Sequence, residues 1–533
     1  MRGPMSVIYG SNALAGAINI ITKENRFTSF SSTLNSYVET RGTYNFDGRV
    51  AVKRGRHSMS LSGARNFFGG YSLDSLRSQH WKPKEQYNAD LYYIYSRDDL
   101  RLKYQTSLMN ERLWSKGDLI PPFYFKAIDD WFYSMRYNNR LEMEKKIGQA
   151  YNLNLLASHS LYTRLRKTVS KDFSDLSETE IDRDYTGFNA FNFRVLFGNQ
   201  DPAKRFSFIS GLDLNYEIGE GERILDGRQE MGDYALFGSM MINPSPKVSL
   251  QPGFRFAINT RFPVPPVPSV NLKWEILPRV NMRASYARGY RAPTLKELYI
   301  FFVDINHNIQ PNEELNAEYG NNFDLNFTFN TDRSEKTHMT KVDANLFYNK
   351  MNNIIVLAEI DQQEILYQYV NIQNYNTLGG KVTFKYSYYP IFDIEFGLGT
   401  TGTYFSLGEE KQSFDEYMFS PDANVNISGT IPLIDLRLSV YYKFTGDSYF
   451  FRLDENDQVD VSIMDNYHNM DITLIRKFMA NRLSISAGVK NIFDNTLIRT
   501  SGNTGGEVHS SAGGSLVGYG RVWFLKAGYN VFR

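Results

Sequence analysis

Apolar and polar residues alternate with a period of two along most of this chain, from about residue 44 to the C-terminus. Phe191, Phe193, Val195 and Phe197 are separated by polar or small residues, and Phe206, Phe208, Leu212, Leu214 and Tyr216 follow in the next segment. The pattern returns in Val248, Leu250, Phe254, Phe256 and Ile258, in Val270, Leu272, Trp274 and Ile276, and in Phe323, Leu325, Phe327 and Phe329. Leu436, Leu438, Val440, Tyr442 and Phe444 repeat it late in the chain, as do Leu483, Ile485, Ala487 and Val489. Successive strand residues point to opposite faces, so each segment predicts a strand with one apolar and one polar side.

Stacked sandwich domains and a closed barrel in lipid both produce that pattern. The segments read as strands of roughly nine to eleven residues with aromatic rings near their ends, the signature of an outer-membrane barrel. Sandwiches also need linkers, and none is present; the stretch FPVPPVP, residues 262 to 268, is short enough to be a rigid loop. Long polar loops are expected at Arg65–Gln86, Trp114–Asp130, Arg166–Gly187, Arg291–Gly320 and Arg499–Gly518, with short connections between them, as at Ile276–Arg279. About 23 residues per strand and connection gives an all-β, transmembrane antiparallel barrel of about 22 strands.

Composition agrees. Aromatic residues make up 15%, with 36 Tyr and 38 Phe, while mean hydropathy is −0.42. No apolar run reaches the length of about 18 residues that a membrane helix needs. Lys+Arg (59) balances Asp+Glu (58), which leaves no electrostatic footprint for nucleic acid. Cysteine is absent, so disulfides, thiolate metal sites and cysteine nucleophiles are excluded. The first residues carry no basic and apolar leader, so an exported protein is expected to have a part that precedes this chain.

Three stretches carry more specific information. The first is RGPMSVIYGSNALAGAINIITK, from Arg2 to Lys23. The second is RASYARGYRAPTLKELY, which ends in a box of Tyr290, Arg291, Ala292 and Pro293, followed by PNEELNAE with Asn312, Leu315 and Glu318. The third is VKNIFDN and the closing YGRVWFLKAGYNVFR. Together they resemble the TonB-dependent outer-membrane receptors of the siderophore, haem and cobalamin type. Arg2, Gly3, Pro4, Tyr9, Gly10, Gly16 and Asn19 match the end of the family's plug domain. The second stretch is similar to its FRAP-type and N-P-x-L-x-x-E boxes, with Glu313 where many members have proline. In the closing strand Trp523, Leu525, Ala527, Tyr529 and Val531 form the lipid-facing set read by the barrel assembly machinery. Arg533 stands where the family ends on phenylalanine, and Phe532 is displaced by one.

The resemblance implies residues 1–25 as the C-terminal remnant of a plug and 26–533 as the barrel. The TonB box and the rest of the plug are then expected outside this chain, which alone would not complete a transport cycle. It implies uptake of a scarce, bulky ligand, with outer-membrane lipid, the TonB complex and a surface lipoprotein as partners and no nucleic acid. A periplasmic C-terminus puts Arg291–Gly320 on the extracellular side, where it is a candidate capture loop.

Within that loop His307 stands in the interval where haem receptors of the family carry a histidine, so the resemblance implies it as a candidate axial ligand for haem iron, with Tyr299, Phe301 and Phe302 as candidates to cover the porphyrin. A ferric siderophore or cobalamin-type cargo is the alternative. Haem would be transported, with no cofactor bound permanently. The other histidines, His57, His80, His159, His338, His468 and His509, show no metal-ligand spacing and read as loop or lumen residues. Asp213, Glu217, Asp324, Asp343 and Asp471 read as lumen acids, and DENDQVD (Asp454–Asp460) as a weak calcium loop. Two further functions stay open: a passive pore, and a hydrolase using His159 with Ser158 or Ser160. Adjacent strand residues face opposite ways, which argues against the hydrolase.

Overall fold

The computed structural model describes residues 29–74, 76–199, 204–304, 307–331, 337–361, 366–406, 416–453, 459–500 and 515–532, together with Val7 and Gly10. Among these, 22 antiparallel strands close into one barrel. Each barrel strand pairs with the one before it in the chain, and the first, Phe30–Glu39, pairs with the last, Val522–Phe532, from Ser31 opposite Phe532 to Glu39 opposite Phe524. Closure satisfies the backbone donors and acceptors between strands, as lipid requires. Every alternating segment named above falls inside a strand, for example Phe206–Gly221, Val248–Asn259 and Leu436–Thr445.

The two faces separate as the period predicts. Leu236, Phe256 and Leu61 are 63%, 59% and 60% exposed, an arrangement that suits lipid and would be a liability in water. Between outward Val382 and Phe384, the side chains of Lys381, Thr383 and Lys385 line an internal cavity. Strand ends place the two-residue turns, such as Pro278 and Arg279 between Val267–Leu277 and Val280–Arg291, on the side of the C-terminus.

Strand length departs from expectation. Instead of nine to eleven residues, Leu100–Leu119, Lys126–Ile147, Tyr151–Asp172 and Ser177–Asn199 have 20, 22, 22 and 23, and His338–Asp361 has 24. Crossing the hydrocarbon takes only about 9–11 tilted residues, so these strands continue well above the membrane. The long loops expected at Trp114–Asp130 and Arg166–Gly187 are accordingly mostly strand, with connections reduced to 120–125 and 173–176. Water on both faces removes the apolar period there while backbone pairing continues. Cross-strand ion pairs take over: Lys171–Glu178 at 2.6 Å, Lys167–Glu180 at 2.9 Å and Arg166–Asp184 at 2.6 Å. The connection 69–83, shorter than Arg65–Gln86, sends Arg77 onto the buried Asp129 of this tall wall at 2.5 Å.

Inside the barrel, Val7 is buried with Phe237, Val267 and Tyr290. Gly10 has φ +105°, in the region that favours glycine, and a Cβ there would lie 3.8 Å from Asp213 Oδ2. Arg2, Gly3, Pro4, Tyr9, Gly16 and Asn19 lie outside the described residues, as do Arg533 and most of Asp454–Asp460. Trp523, Leu525 and Tyr529 are exposed on the outer face, Ala527 and Val531 are half-buried, and Phe532 is exposed at the strand end.

Candidate ligand-capture site

Strand Val280–Arg291 ends where Pro293, with no N–H to donate, stops the ladder. Thr294 then begins a short helix, α1 (Leu295–Tyr299), through a capping box with Glu297: Glu297 N donates to Thr294 Oγ1 at 3.3 Å, and Thr294 N donates to Glu297 Oε2 at 2.7 Å. One face of α1 is apolar. Leu295, Leu298 and Tyr299 pack with Ile224, Leu315 and Ile355 in a buried cluster that joins two loops to the barrel wall. Burial of this kind contributes about 1.5–3 kcal/mol per large side chain, enough to order a loop.

Tyr299 is 3% exposed, and Arg261 Nη1 donates to its hydroxyl at 2.6 Å with the guanidinium 4.9 Å from the ring centre. Burial raises its phenol above the ordinary value, Arg261 opposing, so it stays neutral. In this conformation the ring is packed inside that cluster. Phe301 and Phe302 are half-buried, and Arg223 lies 4.0 Å over the Phe302 ring. The hairpin of Phe302–Asp304 and His307–Gln310 runs on into parallel pairing with Leu366–Tyr388. His307 is the first residue of its strand, but its side chain is outside the described residues.

The two boxes meet. Arg291 Nε donates to Glu318 Oε2 at 2.7 Å, its Nη2 bonds Glu318 Oε1, and its Nη1 donates to Glu297 Oε2 at 2.9 Å. Glu318 is 5% exposed and also accepts the Ile355 N–H at 2.8 Å. One guanidinium thus ties the strand end, the helix and the return strand Glu318–Asn330. Asn312 Nδ2 donates to Tyr369 O at 2.7 Å and Asn316 N to Asn371 Oδ1 at 2.8 Å, which pins the loop's second half to the next wall. Leu315 is buried in the same cluster, Tyr290 and Pro293 are fully buried, and Ala292 packs beside Tyr290.

Below the loop the lumen is polar. A cavity of about 1180 Å³ is lined by Lys273, Arg283, Lys341, Lys381 and Lys385 among neutral polar groups, Asp324, Asp343 and Glu395. Reading the strands for carboxylates found Asp324 and Asp343 but passed over these cations, which occupy the same alternating polar positions. Asp213 pairs with Arg194 at 3.0 Å and with Arg255, 1% exposed, at 3.2 Å, while Asp343 pairs with Lys341 at 2.6 Å. Asp471 accepts the Asn491 N–H at 2.8 Å, and Glu217 lies in the same strand and on the same face as Asp213. His159 stacks on Phe191 at 4.8 Å on the outer face, whereas Ser160 donates to Asn138 at 2.7 Å on the inner one, so no nucleophile and base meet there. Among the described residues no group of acidic or histidine side chains is arranged to hold a metal.

A closed 22-stranded antiparallel barrel with an ordered loop over a charged lumen is the architecture of a β-barrel protein of the Gram-negative outer membrane. The family model described as TonB dependent receptor-like, beta-barrel matches residues 19–492, and the chain belongs to that family, whose members are transporters rather than enzymes. A curated relative, hemoglobin and hemoglobin-haptoglobin-binding protein C of Haemophilus influenzae, is 35% identical over 86 residues, which is 16% of this chain and 8% of the relative. Among solved structures, the ferric yersiniabactin uptake receptor FyuA from Yersinia pestis superposes with a TM-score of 0.75 at 14% identity, covering 100% of this chain and 84% of that one. The copper transporter OprC gives 0.75 at 13%, covering 100% and 85%. Identities this low show the fold alone.

Proposed function

We propose that the protein takes up an iron carrier across the outer membrane in a TonB-dependent cycle, with haem as the first cargo to test and a ferric siderophore as the second. The observation that carries this reading is the capture loop, fixed over the lumen by the Arg291, Glu297 and Glu318 cluster. Pre-ordering lowers the entropy cost of binding and so favours a scarce ligand. The curated relative's name supports haem, since that protein is named for binding hemoglobin. His307 is the proposed axial ligand, with Phe301 and Phe302 beside it. Haem is cargo in this reading, and residues 1–25 are the end of the plug on which TonB acts.

Haemin titration of the purified protein tests it. The expected result is a shifted Soret band and a roughly tenfold or larger loss of affinity in His307→Ala, the size of one lost strong contact. Identical spectra and affinity in the two proteins would overturn haem and leave the siderophore reading.

A further inference from the structure

Three histidines on the outer face of the barrel share one cross-strand arrangement. His57, the first residue of strand His57–Phe68, lies opposite Tyr95, and its Nδ1 is 2.8 Å from the hydroxyl of Tyr93, two residues earlier. His338, the first residue of strand His338–Asp361, lies opposite Tyr388 with Nδ1 2.6 Å from the hydroxyl of Tyr386. His468 lies opposite Phe444 with Nδ1 2.7 Å from the hydroxyl of Tyr442. Each ring also packs on its opposite partner, at 5.3, 4.6 and 5.0 Å. All three share a strand face with exposed apolar residues: Met59 and Leu61, Leu346, and Leu474 respectively.

His57 follows the two-residue turn 55–56 and His338 the connection 331–337, both on the side of the C-terminus, which the barrel's topology reads as periplasmic. A tyrosine hydroxyl donated to Nδ1 leaves the proton of the neutral ring on Nε2. Among the described residues the Nε2 of His57 and of His338 makes no hydrogen bond to protein, and both rings stand on the outer face at the strand end nearer the C-terminus. Beside His57, in register and equally exposed, is Arg54. A stacked ring alone would serve as an aromatic anchor. The oriented N–H gives phosphate a directed donor at both sites, and at His57 the adjacent guanidinium adds a positive charge.

We propose that the His57–Tyr93 pair, with Arg54, and the His338–Tyr386 pair each bind the phosphate of an inner-leaflet phospholipid through imidazole Nε2. The tyrosines fix the tautomer, and the two sites set the height of the barrel in the membrane.

The test uses the full chain refolded in vesicles of phosphatidylethanolamine and phosphatidylglycerol, extracted in mild detergent and weighed by native mass spectrometry. The wild type is expected to retain phospholipid that the double variant His57→Phe and His338→Phe loses by roughly tenfold, the size expected for charge-assisted hydrogen bonds. Phenylalanine keeps the stacking, so equal retention would reduce the pairs to aromatic anchors and overturn the proposal. Solid-state NMR of the wild type in the same lipids gives a measurement that needs no variant. Magnetisation transfer between His57 Nε2–H and lipid phosphorus is expected, and its absence would equally overturn the proposal.

Discussion

The lower and upper halves of strands such as Tyr151–Asp172 and Ser177–Asn199 share one backbone ladder and obey different chemical rules. Within the membrane the outer face is apolar, as at Phe191 and Phe193. Above it the same strands carry Arg166, Lys167 and Lys171 paired with Asp184, Glu180 and Glu178. Alternation therefore reports contact with lipid, whereas strand continuation reports only that a neighbour is there to pair with.

Three substitutions sharpen that contrast. Leu236→Lys, on the lipid face near mid-strand, is expected to cost about 2–4 kcal/mol in denaturant titrations of vesicle-inserted protein. A cost near zero would mean that this face is not in lipid. Lys167→Ala, which removes a half-exposed pair above the membrane, is expected to cost about 0.2–1 kcal/mol and to lose its effect in high salt. Ile181→Lys, on an exposed position of the same tall wall, is expected to stay within about 0.5 kcal/mol of the wild type. A penalty like that of Leu236→Lys would place the wall inside the bilayer.

Period two was enough to read an all-β barrel and, with the chain length, its approximate strand number, because lipid enforces that period over the crossing; the side on which the capture loop lies rested on the resemblance. It could not show where strands end in water, which is why Trp114–Asp130 and Arg166–Gly187 read as loops. The boxes around Arg291 and Glu318 were recognisable by resemblance, but their ion pair joins residues 27 positions apart and depends on register. The helix was legible in principle: Thr294 and Glu297 have capping-box spacing, and Leu295, Leu298 and Tyr299 recur at helical intervals, which also signals that Tyr299 is packed. The histidine and tyrosine pairs are set by diagonal cross-strand contacts that no single segment reveals.

That the two boxes form one pre-ordered anchor for the capture loop is tested most directly by hydrogen exchange. In the wild type the amides of Leu298, which donates to Thr294 O at 3.1 Å, and Ile355, which donates to Glu318, are expected to exchange as slowly as barrel amides. In Arg291→Met, which strands the buried carboxylate of Glu318, both are expected to lose most of that protection while amides of Val248–Asn259 keep theirs. Fast exchange of Leu298 in the wild type, or unchanged protection in the variant, would contradict it.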